Sequence, residues 1–183
     1  MTGWAGAALL LWLLLSVAGI WVWLPRLERW LDRTWVLLST LIGSVALTGL
    51  VALLGALAPP LPAPWSWVGV GLAAAGAVLS GGAVVVSLLT LASTPTRSSV
   101  RAQRTVLRGG SWIGALERLG LLATVLAGWP EGIAAVVAIK AFARYPELKS
   151  AQESGAIERF IIGTFASLGW AAACAGVALV LLD

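Results

Sequence analysis

Long apolar runs, separated by groups of basic residues, limit how this chain can fold. The Lys and Arg residues form three groups: Arg26, Arg29 and Arg33; Arg97, Arg101, Arg104 and Arg108; and Arg118, Lys140, Arg144, Lys149 and Arg159. The runs between them are long enough to cross a bilayer, which takes about 20 helical residues. The pattern predicts a multi-pass membrane protein.

The amount of apolar side chain supports the same prediction. The chain is 60% hydrophobic and 11% charged, whereas a soluble domain carries about 25% charged residues. A water-soluble fold of this size could not bury so much apolar surface, so we expect lipid to be its solvent. The net charge of +4 then reflects basic loops held at the cytoplasmic face rather than binding to nucleic acid.

Apolar length predicts an all-α domain over residues 1–183 with six transmembrane helices. The expected spans are 3–24, 34–58, 67–92, 110–128, 131–145 and 156–182. The first three helices occupy 1–92, a basic cytoplasmic loop occupies 93–109, and the last three helices occupy 110–183. The fifth span is short, so a tilted helix and a re-entrant hairpin with the fourth both stay open.

Tryptophan and proline mark the ends of these spans. All eight prolines fall at predicted span ends or in loops, where no helical hydrogen bond is lost. Most tryptophans also fall at span ends, as in the interfacial belt of membrane proteins. Trp12 and Trp170 are the exceptions and are expected to lie at depth.

The distribution of basic residues over the loops predicts orientation. Loop 25–33 has three basic residues and loop 93–109 has four, whereas loop 59–66 and the turn at Trp129 and Pro130 have none. Basic loops stay in the cytoplasm. Both termini are therefore expected on the outside.

Small residues recur every four positions along the sixth predicted span. They are Gly163, Ser167, Ala171 and Ala175. Such a stripe lets helices approach closely. It predicts tight packing, either within one chain or between chains of a homo-oligomer.

Charged residues inside the last three spans are the best indicators of function, because each is costly in a membrane unless paired or hydrated. They are Glu117, Arg118, Lys140, Arg144, Glu158 and Arg159. We expect them to meet in the cytoplasmic half of the bilayer. Helical phase favours a pair between Glu117 and Arg159, with Arg118 extending toward the headgroups.

The same residues predict an anion site. Two carboxylates against four bases leave a surplus of two positive charges. Arg108 precedes the start of the fourth span, where free N–H groups also attract anions. The expected ligand is an anionic lipid headgroup or a phosphorylated prenyl carrier, with transport of that ligand left open. The competing interpretation is that these charges only lock helices together and contact ordinary lipids.

Other functions find less support in the residues. The chain has no His, a single cysteine at Cys174, and only Asp32 and Asp183 as aspartates. We therefore predict no metal, no cofactor and no catalytic residue. An enzyme that uses Glu117 or Glu158 as acid or base, and a packing subunit of a membrane complex, are the alternatives.

From about Arg108 onward the chain resembles the C-terminal half of a family of uncharacterised bacterial integral-membrane proteins, a domain of unknown function. The likeness lies in three stretches: Ile113 and Gly114 with Leu116, Glu117 and Arg118; Ala138, Lys140, Arg144 and Tyr145; and Glu158 with Ile162, Gly163, Thr164 and Ser167. The family usually has a His and an Asp in its first helix, which this chain lacks, and an aromatic residue where Arg159 stands. The resemblance implies a membrane fold and the bacterial cytoplasmic membrane, but no reaction.

The predicted orientation can be tested by labelling single cysteines in intact cells. A cysteine at Ser98 should resist an impermeant thiol reagent, because its loop is cytoplasmic. A cysteine at Ala63 should react with it. The opposite labelling pattern would contradict the predicted topology.

Overall fold

The computed structural model describes residues 3–19, 34–92, 97–150 and 155–183, and this part is built from helices joined by short turns. The helices are α1 (Gly3–Gly19), α2 (Thr34–Ala56), α3 (Trp65–Ala75), α4 (Gly81–Ala92), α5 (Arg97–Leu126), α6 (Glu131–Ser150) and α7 (Ala156–Leu182). A π-helical segment, Gly76–Ser80, connects α3 to α4 without a break. We call this segment the π-turn.

Within the described residues, three helical stretches are long and apolar enough to cross a membrane. They are Trp35–Ala56, the continuous rod Trp65–Ala92, and Ile157–Leu182. A shorter apolar helix covers Gly3–Val17. The protein is therefore all-helical in its described part, with several helices suited to a membrane.

Helix α7 occupies the centre of the bundle. It contacts α2, α3, α4, α5 and the π-turn. Ser167, Ala171 and Ala175 of its small-residue stripe are buried, and Gly163 lies against Leu89 of α4. Small side chains let the neighbouring helices approach this closely. The predicted packing role of the stripe is confirmed within the chain.

The tryptophans separate by depth, as the sequence predicts. Trp12 and Trp170 are buried inside the bundle. The tryptophans near helix ends are exposed, namely Trp4, Trp35, Trp65, Trp67 and Trp129. Trp112 is also exposed, but it lies in the middle of α5 and not at a helix end as predicted. This arrangement fits an apolar band bounded by aromatic side chains.

The segment predicted as a basic loop, 93–109, is helical from its fifth residue onward. Helix α5 begins at Arg97 and runs for 30 residues to Leu126. Between Arg97 and Arg108 the sequence has no Gly or Pro and contains several good helix formers. The charges that indicated a loop therefore extend the fourth helix instead. Residues 93–96 lie outside the described part, as do 20–33, which contain the end of the first predicted span and the first basic loop.

Helix α6 is longer than the predicted fifth span. It continues to Ser150 and includes Pro146, so the prediction that prolines lie outside the helices is wrong here. Proline removes one backbone hydrogen bond, and the helix ends one turn later. Its 20 residues reach about 30 Å, the thickness of a bilayer core.

Helices α5 and α6 form an antiparallel hairpin. Gly128, in the turn between them, has φ +65°, a left-handed conformation that favours glycine after a helix. The N–H of Trp129 donates a hydrogen bond to the carbonyl of Thr124 at 2.9 Å. This turn fixes which residues of α5 and α6 lie opposite each other.

The central position of α7 predicts a sharp difference between two adjacent alanines. Ala171 is fully buried, whereas Ala172 is exposed. Ala171→Leu should overfill the bundle and destabilise it by about 1–3 kcal/mol. Ala172→Leu is the matched control and should change little. Thermal unfolding in detergent measures both, and equal effects would contradict the packing described here.

Candidate functional site

Glu117 of α5 and Lys140 of α6 form an ion pair across the hairpin. Lys140 Nζ donates to Glu117 Oε2, and the two side chains are 15% and 11% exposed, with lysine the larger. Each residue lies nine positions from the hairpin end of its helix, at Leu126 or Glu131, which corresponds to about 14 Å. The predicted contact between a carboxylate and a base on different helices is confirmed, halfway along the hairpin.

Arg118 is buried in the bundle, at 4% exposure. The prediction that its side chain extends toward the headgroups is therefore wrong. Its Nε donates to the carbonyl of Gly114 at 2.8 Å. Its Nη1 donates to the carbonyls of Ala77 and Val78 at 3.2 and 3.1 Å. Both of these carbonyls belong to the π-turn. A π-helical turn disturbs the regular ladder of helical hydrogen bonds, and here a side chain inserts beside it.

Trp170 of α7 holds the same turn from another side. Its Nε1 donates to the carbonyl of Gly76 at 3.3 Å and to Ser80 Oγ at 3.2 Å. The Ser80 hydroxyl donates to the carbonyl of Gly76. Three consecutive carbonyls of the π-turn, at residues 76, 77 and 78, therefore accept side-chain N–H groups.

Gly81, the first residue of α4, makes this arrangement possible. A Cβ atom there would collide with the side chains of Arg118 and Trp170. The absence of a side chain lets the guanidinium and the indole meet the rod at one level. Two signals in the sequence point to this position, a Gly81–Gly82 pair and a tryptophan among small residues, but neither indicates an arginine.

The charges at mid-bundle do not cancel. Glu117, Arg118 and Lys140 together carry two positive charges and one negative. Among the residues that the structure describes, the acceptors of the Arg118 guanidinium are carbonyl oxygens, which are dipoles and not charges. These three residues form what we call the central charge group, which has a net charge of +1.

Glu158 and Arg159 lie far from the central charge group. Both are exposed, in the first turn of α7. Trp170, which is level with Arg118, comes 11 residues after Arg159, or about 16 Å along the helix. The predicted pair between Glu117 and Arg159 is therefore wrong. Contacts with the π-turn set the height of α7 and place its charged start near the end of the bundle.

Arg144 and the backbone position of Arg108 lie toward the same end of the bundle. Arg144 follows Lys140 by one helical turn on the same face of α6 and is partly buried. Arg108 lies in α5, ten residues before Arg118, and its side chain is outside the described part. The predicted site residues thus occupy several levels rather than one cluster.

An apolar groove of about 580 Å³ lies between α2, α4 and α7. Its walls are Val45, Thr48, Gly49, Ala52, Val84, Phe165, Ala166, Gly169, Trp170, Ala173, Gly176 and Val177. None of these side chains is charged. The groove suits hydrocarbon, and it offers no ionic partner for a headgroup.

Comparisons with family models, curated proteins and solved structures found no match. The resemblance of the chain from Arg108 onward to a family of membrane proteins stays a prediction.

The ion pair can be tested by removing one partner or both. Glu117→Ala leaves the ammonium of Lys140 without its counter-charge, and losing one partner of a buried pair costs about 3–5 kcal/mol. Partial exposure of the pair should put the loss near the lower end. The double variant Glu117→Leu/Lys140→Leu should recover most of the stability, because no unpaired charge remains. Thermal unfolding measures the three proteins, and equal losses in the single and double variants would contradict a pairing role.

Proposed function

We propose that the protein is a multi-pass protein of the bacterial cytoplasmic membrane that binds an anionic headgroup from the cytoplasmic leaflet. The headgroup belongs to a lipid or to a phosphorylated carrier. The observation that carries the proposal is the net positive central charge group, in which Arg118 is bonded to carbonyl oxygens. A cation in a poorly solvated place favours an anion nearby.

The proposal includes six membrane spans with both termini outside. Support comes from α6, which is long enough to cross, and from the α5–α6 hairpin, which places two further helices side by side. Helix α1 is apolar and its described part has 17 residues. The basic residues of the predicted cytoplasmic loops supply the orientation.

Lys140 is the proposed contact for the headgroup. It is more exposed than Arg118, and Arg144 lies one turn closer to the end of α6. A phosphate group offers several strong acceptor oxygens to lysine and arginine side chains. An entering headgroup would therefore meet Arg144 before it reaches the ion pair.

The distribution of carboxylates favours binding over acid–base catalysis. Glu117 is ion-paired with Lys140, and Glu158 lies at the exposed start of α7. The two carboxylates are too far apart along the bundle to act on one substrate atom. Movement of the bound headgroup between leaflets would be a later step at the same residues.

An oligomer or a membrane-protein partner is also part of the proposal. Helix α6 presents several exposed apolar side chains, namely Ile139, Phe142 and Tyr145. In the membrane, lipid or another protein surface must cover them.

Lipid-dependent stability tests the headgroup site. A ligand at 100 times its Kd stabilises the folded protein by about 2.7 kcal/mol, so phosphatidylglycerol should raise the Tm of the native protein in detergent. Phosphatidylcholine should not. Lys140→Ala should lose most of the rise, whereas Lys149→Ala, on the same helix but near its end, should keep it.

A second arm uses a polyprenyl phosphate in place of phosphatidylglycerol, and a larger rise with it would identify the carrier as the ligand. If Lys140→Ala protein keeps the full rise with both anions, the headgroup does not bind at this position. If the native protein shows no rise with either, the charges serve to pack helices or to hold a protein partner.

A further inference from the structure

The π-turn contains one residue more than a regular α-helical turn in the same place. An α-helix has 3.6 residues per turn and rises 1.5 Å per residue, and a π-helical turn is wider. If Gly76–Ser80 became α-helical with no change of length, α4 would rotate by about 100° and shift by about 1.5 Å relative to α3. The segment can therefore exist in two discrete registers.

Side chains from other helices favour the π register. Arg118 donates to the carbonyls of Ala77 and Val78, and Trp170 donates to that of Gly76. Arg118 thus supplies two of the three hydrogen bonds that side chains of other helices donate to carbonyls of the π-turn. Without Arg118, the carbonyls of Ala77 and Val78 would lose these hydrogen bonds. The N–H groups of a regular α-helix would then be their best replacement donors.

Arg118 also follows Glu117, the partner of Lys140, in α5. A phosphate that takes the place of Glu117 at Lys140 would bring oxygens with full negative charge close to the guanidinium. Arginine forms bidentate pairs with phosphate, and the charge on phosphate oxygens attracts the guanidinium more strongly than the partial charge on a carbonyl oxygen does. The anion and the π-turn would then compete for one side chain.

We propose that Arg118 couples headgroup binding at Lys140 to a change of register in the π-turn. This inference rests on the proposed function and adds its consequence for the fold. When the site is empty, Arg118 binds the carbonyls of the π-turn and α4 keeps its present face toward α7. When an anionic headgroup binds, Arg118 turns to the anion, the π-turn becomes α-helical, and α4 rotates.

A disulfide between cysteines introduced at Leu89 and Gly163 reports the register of α4. A Cβ atom at Gly163 would lie 3.4–4.0 Å from the side-chain atoms of Leu89, which is close enough for a disulfide after small adjustments. A rotation of about 100° removes the cysteine at 89 from its partner. Both cysteines are introduced into a Cys174→Ala variant. The intact mass after oxidation and alkylation then reports only whether the two new thiols have formed a disulfide.

Arg118→Met tests the change of register in the π-turn without any ligand. It should lower the disulfide yield by roughly an order of magnitude, because the π register loses two hydrogen bonds and α4 rotates. The matched control deletes Ala77, which removes the surplus residue and gives a continuous α-helix with α4 in its present orientation. In that background Arg118→Met should leave the yield high.

Full disulfide yield in Arg118→Met alone would overturn the proposal. Should Arg118→Met not fold, its rescue by deletion of Ala77 supports the proposal, and failure of both proteins overturns it.

Phosphatidylglycerol tests the coupling in protein that retains Arg118. The disulfide yield should fall as the lipid saturates, phosphatidylcholine should leave it unchanged, and Lys140→Ala should abolish the fall. If the lipid raises the Tm but leaves the yield constant, the coupling is overturned while the headgroup site stands. If the lipid changes neither, both are overturned, and the result with Arg118→Met shows separately whether the π-turn has two registers.

Discussion

The side chain of Arg118 joins two parts of the bundle that the backbone alone would not hold together. It extends from α5 and donates hydrogen bonds to the carbonyls of Ala77 and Val78 in the π-turn. A buried guanidinium is costly unless its N–H groups find acceptors, and a disturbed helical turn needs donors for its carbonyls. Each feature satisfies the other, and Trp170 completes the junction from α7. The heights of α4, α5 and α7 relative to one another follow from this contact.

The arrangement of charge follows from the same contact. Because Arg118 is turned toward the π-turn, Glu117, which lies about 100° from it around α5, pairs with Lys140 of α6. The guanidinium keeps its positive charge among dipoles, so the middle of the bundle attracts an anion. Glu158 cannot neutralise it, since this carboxylate lies about 18 Å along α7 from Trp170, which is level with Arg118. A headgroup site and a movable helix would thus share one arginine.

The sequence predicts much of the fold because lipid imposes simple rules on it. Apolar length anticipated α2, the α3–α4 rod and α7 to within a few residues, and the small-residue stripe anticipated the buried face of α7. Basic residues predicted a loop where α5 begins, because charge reports the side of the membrane and not the backbone conformation. The predicted length of α6 is too short because the prediction treats Pro146 as the end of the helix. Proline is tolerated near a helix end, and α6 continues past it to Ser150.

The candidate site was predicted only in part. Helical spacing placed Glu117 and Lys140 inside neighbouring helices, and the structure pairs them. Partner choice depends on the relative height of the helices, which the π-turn sets and which has no recognisable sequence pattern. The most direct measurement is therefore the solvent exchange of the Arg118 Nη–H groups, followed by NMR in detergent micelles at neutral pH. Their exchange should be much slower than that of exposed Arg159, because the Arg118 side chain is buried and its Nη1 donates to the carbonyls of Ala77 and Val78. Equal exchange at the two arginines would show that Arg118 does not dock against the π-turn.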